Sequence, residues 1–207
     1  MSQVGTQAQP RRRTQEERRA DTQAKVLDAT IRSLLEHGYA RTTTRQVASL
    51  AGVSAGAMAH YYPRRAGLVA AAIERLVEQR LDAWRDAAPT LRGGSRDSTG
   101  ELLDLVWADF SSPLFTVVVK LWVAAADDPG LYMRLAEAER RMAHEITKLA
   151  VEAVGELTTR ADWEGRLRIM LAAVRGLALT EHFEPRMQRQ PDPWPETRNA
   201  LIALLNS

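Results

Sequence analysis

Residues 43–65, TTRQVASLAGVSAGAMAHYYPRR, decide the fold. They read as two short helices joined by a tight turn. Thr43 is placed to cap the first helix, because a threonine oxygen accepts a bond from an unpaired N–H one turn in. Val47, Ala48 and Ala51 recur at helical spacing and give that helix a small apolar face. Gly52 follows where the chain must reverse, and glycine enters the left-handed region without steric cost. Ser54 is placed to cap a second helix from Ala55 to about Tyr62, which Pro63 stops. Met58 and Tyr62 form an i, i+4 apolar pair on its inner side. Ala48 is small where the two helices would cross, which suits a helix-turn-helix. The outer side offers Ala55, Gly56, Ala57, Ala59, His60 and Tyr61, short groups and polar tips that suit a major groove.

These residues resemble the tetracycline-repressor (TetR) family of bacterial transcriptional regulators. The resemblance rests on Thr42-Thr43, Val47-Ala48, Ala51-Gly52-Val53-Ser54, Gly56, His60-Tyr61-Tyr62, Pro63 and Arg65 before Leu68, within about residues 24–76. Many family members carry an aromatic residue at the position of Ala59, so one DNA contact of the family is in doubt here. The resemblance implies a homodimer that binds a palindromic operator and is released by a small-molecule effector. The DNA-binding set it implies, read with the side-chain chemistry, is Thr43, Thr44, Arg45, Ser54, Ala55, Gly56, Ala57, His60, Tyr61 and Arg65. The Leu121–Ala125 segment (LWVAA) and the His-Tyr-Tyr cluster are faintly similar to choline-responsive repressors of that family.

Bulk properties agree. The 207 residues are 45% hydrophobic and 26% charged, enough for one large or two small globular domains. Many Ala, Leu, Arg and Glu with few aromatics favour an all-α fold. The chain has no cysteine, which suits a reducing cytoplasm. The polar, arginine-rich N-terminus has no signal-peptide core, and the best apolar run, Val117–Ala126, is short and interrupted by Lys120. A soluble cytoplasmic protein is expected. The net charge of +2 is unevenly spread: residues 1–68 hold 11 basic and 5 acidic groups, leaving 17 and 21 for the rest. The basic N-terminal third suits a polyanion.

Outward from the helix-turn-helix, residues 1–19 read as a flexible arm in which Arg11-Arg12-Arg13 would track phosphates, or serve only as a solubilising tail. Residues 20–67 form the DNA-binding unit, with a first helix from about Arg18 to Glu36 that Gly38 ends. Residues 68–207 form a helical effector-binding and dimerisation unit. Its first helix runs from Leu68 to about Asp86, with Glu74, Arg75, Glu78 and Arg80 among the polar intervals. Pro89–Gly100 is the clearest break. Helices are then expected at 102–110, 114–126, 131–157 and 163–183, with a last short one through Leu201 and Leu205. The 163–183 segment is apolar on more than one face and should be buried on both sides. The resemblance places the dimer interface on the last two helices.

Chemistry is sparse. Gly52-Val53-Ser54-Ala55-Gly56 matches the Gly-x-Ser-x-Gly elbow of hydrolases, but that elbow needs a preceding strand, and here a helix precedes it. None of His37, His60, His144 and His182 has a second ligand at metal spacing. No enzyme, metal or cofactor is expected. Candidate walls for an apolar effector pocket are Trp107, Phe110, Trp122, Tyr132, Met142, Met170, Arg175, His182 and Phe183, against ordinary core packing as the alternative. Arg175 on a mostly apolar helix needs a partner, an acidic ligand or a nearby carboxylate. A constitutive DNA-binding protein, or a helical small-molecule binder, are the competing readings.

Overall fold

The structure is a computed structural model that describes residues 14–91, 98–155, 159, 161–183 and 192–206, without the side chains of 88, 90, 153, 154, 182 and 183. The described residues form nine helices and no strand: α1 (Gln15–Arg41), α2 (Thr44–Ala51), α3 (Ala55–Tyr61), α4 (Arg65–Leu91), α5 (Ser98–Phe110), α6 (Pro113–Ala125), α7 (Pro129–Val154), α8 (Trp163–Phe183) and α9 (Trp194–Asn206). No single helix is long and apolar enough to cross a membrane.

α1 starts earlier than its apolar spacing suggests. Thr14 and Glu17 form a reciprocal capping box that extends the helix into the polar segment. Gly38, at φ 75° and ψ 174°, breaks the helical path where the sequence places the end. The arm with Arg11–Arg13 lies outside the described residues.

Two apolar clusters organise the packing. A small one joins Val26 and Ala29 of α1, Val47 and Ala48 of α2, Met58 of α3 and Leu68 of α4. A larger one runs from Ile31 and Leu34 of α1 through α4 to Leu201 and Leu205 of α9. α1 and α4 contribute to both, so the reading head and the remaining helices share two rigid members. Hydropathy misses part of this seam: Thr30, Ser33 and Thr42 are fully buried. Each is satisfied locally, Thr30 donating to the Val26 carbonyl, Thr42 to the Gly38 carbonyl, and the Ser33 and Thr42 hydroxyls bonding at 3.0 Å.

Three elements depart from the expectation. α4 continues through Pro89 to Leu91, whose buried side chain ties the last turn to the core. Arg80, placed among polar intervals by the spacing, is 3% exposed and forks onto Asp109 of α5 at 2.9 and 2.7 Å. Burial opposes its charge, and the Asp109 and Glu139 carboxylates outweigh that, so Arg80 holds its proton more tightly than an exposed arginine. α8 is buried on one side only. Leu167, Met170, Val174 and Ala178 face the core, while, among the described residues, Ile169, Ala172, Ala173 and Gly176 of the second face stay exposed.

Candidate nucleic-acid interface

Local chemistry sets α2 and α3 as the spacing indicates. The Thr43 hydroxyl accepts from the Gln46 N–H at 3.2 Å, and Ser54 from the Ala57 N–H at 3.1 Å. Gly52 closes α2 in the left-handed region, φ 66° and ψ 32°, where its N–H reaches the Ala48 and Ser49 carbonyls. Met58 turns inward and is buried, with Tyr62 packed beside it; burial raises the Tyr62 phenol above its ordinary range. The opposite side of α3 is open. Ser54, Ala55, Gly56, Ala59 and His60 are exposed, while Ala57 and Tyr61 are half-covered. Between α2 and α3 an apolar notch of about 400 Å³ is lined by residues that include Arg45, Ala48, Val53, Ala55 and Ala59.

The structure brings Thr44, Arg45 and Ala55 of the expected set around one notch, and it places Arg65 elsewhere. Arg65 is not a free cation at the end of the reading helix. Its Nε donates to the Thr42 carbonyl at 2.8 Å, its Nη2 to the Tyr39 carbonyl, and its guanidinium lies 4.0 Å from the Tyr39 ring centroid. α1's last turn, reshaped at Gly38, presents those carbonyls to it. The neighbouring Arg64 is exposed and, like Arg45, makes no ion pair among the described residues. Sequence reasoning also passed over Arg19, whose guanidinium sits 5.8 Å from the Tyr61 ring, itself edge-on to His60 at 5.4 Å. Replacing Arg64 by alanine should therefore flatten the dependence of log affinity on log salt by about one unit. Replacing Arg65 should leave that slope nearly unchanged and lower thermal stability instead, by about 1.5–3 kcal/mol for its charged hydrogen bonds. Salt titrations and melting curves of the two variants separate these roles.

A second contact ties this head to α6 and α7. Tyr39 donates to Asp128, the N-cap of α7, at 3.1 Å, and Lys120 of α6 reaches the Leu35 carbonyl. Burial first, and then the Asp128 bond, push the Tyr39 phenol up; the Leu131 N–H and that same tyrosine hold Asp128 below the usual carboxylate range. Tyr39→Phe is expected to cost about 1 kcal/mol in stability, read by chemical denaturation.

Among the described residues, the candidate effector residues are taken up by separate contacts. Trp107 stacks on Trp194 at 4.9 Å, and Trp122 meets Tyr132 edge-on at 5.5 Å. Met142 and Met170 are buried in the large core. Phe110 does meet Arg175, whose guanidinium lies 5.3 Å from its ring and 3.6 Å from Glu139, so the carboxylate is supplied by α7. The side chains of His182 and Phe183 lie outside the described residues.

A three-helix base holding one short helix outward, with the exposed cations Arg45 and Arg64 nearby, defines a helix-turn-helix protein that binds DNA. Comparison with known proteins gives the family. Residues 26–72 match the bacterial regulatory proteins of the tetR family. The chain is 32% identical over 198 residues to the HTH-type transcriptional regulator CymR of Pseudomonas putida, covering 94% of each. It is 29% identical over 126 residues to the HTH-type transcriptional regulator BetI of Burkholderia lata, covering 58% of this chain and 63% of that one. Its fold is similar to that of a Saccharomonospora viridis regulator solved in complex with choline, with TM-score 0.66 at 16% identity, covering 90% of this chain and 96% of that one. The chain belongs to the TetR family and is a DNA-binding transcriptional regulator rather than an enzyme.

Proposed function

We propose that the chain is a homodimeric repressor, released from a palindromic operator by a small-molecule effector. The observation that carries the reading is the outer side of α3, left bare by the fold while Met58 anchors its other side. Thr43, Thr44, Arg45 and Ser54 hold the head on phosphates, joined by Arg64 and Tyr61. Ala55, Ala59 and His60 face base edges, and the half-covered Ala57 sits behind them. Arg65 sets the angle of the head by locking α4 to the end of α1. Residues 20–67 and 68–207 are the DNA-binding and effector halves, with α4 crossing the boundary.

Gly56 supports this assignment. A Cβ built there meets only the Ser54 hydroxyl, at 3.9 Å, and its backbone is helical, so nothing among the described residues requires glycine. Close approach from outside does. Gly56→Ala should raise stability by about 0.5–1 kcal/mol, as alanine does in a helix, while weakening operator binding. Parallel melting and binding measurements test it; equal operator affinity with added stability contradicts it.

The dimer is proposed on α8 and α9, where Ile169, Ala172, Ala173 and Gly176 of α8 and Ala200 and Ala203 of α9 are exposed. Two heads must enter successive major grooves, about 34–36 Å apart. An effector that prefers a dimer with another spacing shifts the population away from the DNA-competent form. α4 is the lever, since Arg75 and Gln79 both bind Asp28 of α1, at 3.1 and 2.9 Å. The choline bound to the S. viridis structure makes quaternary amines a first class of candidates. Operator affinity measured with and without each candidate tests release.

A further inference from the structure

Few groups on the open side of α3 can read a base by hydrogen bonding. Ala55, Gly56 and Ala59 offer no polar side-chain atom, and Ser54 already caps the helix, which leaves His60 as the main hydrogen-bonding tip. Such a helix cannot tell base pairs apart chiefly by donor and acceptor pattern. The major groove carries one apolar mark, the 5-methyl of thymine, which alanine methyls recognise by contact. The notch between α2 and α3 provides that contact. Ala48, Val53, Ala55 and Ala59 line it beside the hydroxyls of Thr44 and Ser49, and the exposed Arg45 lines it too, where a phosphate would neutralise it. An aromatic side chain at residue 59 would occupy this space; alanine leaves it open.

We propose that thymine 5-methyl groups, received in the notch beside Ala55 and Ala59, are a principal determinant of operator choice in this protein. The inference rests on α3 docking in the major groove and adds what that helix reads there. Ala57, counted with Ala55 by sequence spacing, is half-covered, and Ala59 takes its place at the notch.

The test uses the full chain and duplexes selected by it from a random-sequence pool. Each thymine of a selected half-site is replaced in turn by deoxyuridine, which pairs identically and lacks only the methyl. One or two positions per half-site should lose about three- to fivefold in affinity, the equivalent of one buried methyl. Ala59→Tyr and, separately, Ala55→Gln should shrink that difference between thymine and uracil, with helicity checked for both. Salt-dependent, sequence-selective binding in which no uracil changes affinity more than twofold would overturn the methyl reading and leave the docking of α3 standing. A thymine–uracil difference that survives in both variants would overturn the assignment to the notch. Selection that enriches no sequence would overturn the docking itself and this inference with it.

Discussion

Replacing Ala173 with arginine should turn the dimer into monomers and cut operator affinity about a thousandfold, with the subunit still folded. Residue 173 is exposed on α8, so the subunit accommodates the longer side chain without disturbing its core. In the proposed dimer the same residue would lie across the two-fold axis, where two helices would approach within about 8–10 Å, a distance only small side chains allow. Arginine there is both too large and an unpaired charge removed from water. A monomer has one reading head and keeps mainly its phosphate contacts, and the gap between specific and non-specific binding is at least about a thousandfold. Light scattering and operator titration measure both effects. A variant that remains dimeric at full affinity moves the interface elsewhere.

The second large effect is on stability. Arg80→Ala should destabilise the fold by about 3–5 kcal/mol, because it strands the Asp109 carboxylate in the core without its cation, while Glu139 keeps Arg175. Asp109 is 7% exposed at its side chain and accepts both arms of the guanidinium, while Glu139 lies 3.5 Å from a third nitrogen. The three residues join α4, α5 and α7, so the loss spreads across the effector half. The double variant Arg80→Met, Asp109→Leu should recover most of that stability, since well-packed apolar groups replace a buried pair at little cost. Denaturation midpoints decide it, and a loss below about 1 kcal/mol for Arg80→Ala would show the network to be dispensable.

The reading head was legible because its punctuation is local. Thr43, Gly52, Ser54 and Pro63 each act within a turn of their own position, and the structure has the two caps and the left-handed glycine where they were expected. Features set by distant partners were not legible. Arg64 and Arg65 are identical neighbours, and only the carbonyls of Tyr39 and Thr42, more than twenty residues away, commit one and leave the other exposed. Arg80 follows the spacing of a solvated position, yet Asp109 draws it inward. Apolar periodicity stops α4 near Asp86, whereas Leu91 finds a buried site beyond Pro89. The effector residues were chosen by residue type, and type does not say which of them share a wall. Phe110 and Arg175 proved to be neighbours; Trp107 and Trp122 are taken up by aromatic partners of their own.

The central claim is that α3 is presented to a duplex twice per particle. A hydroxyl-radical footprint of the full chain on the promoter beside its own gene addresses it most directly. Two protected half-sites should appear, centred one helical turn (about 10 base pairs) or a multiple apart, and both should fade together in Gly56→Ala. Protection of a single half-site, or none that depends on sequence, would contradict it.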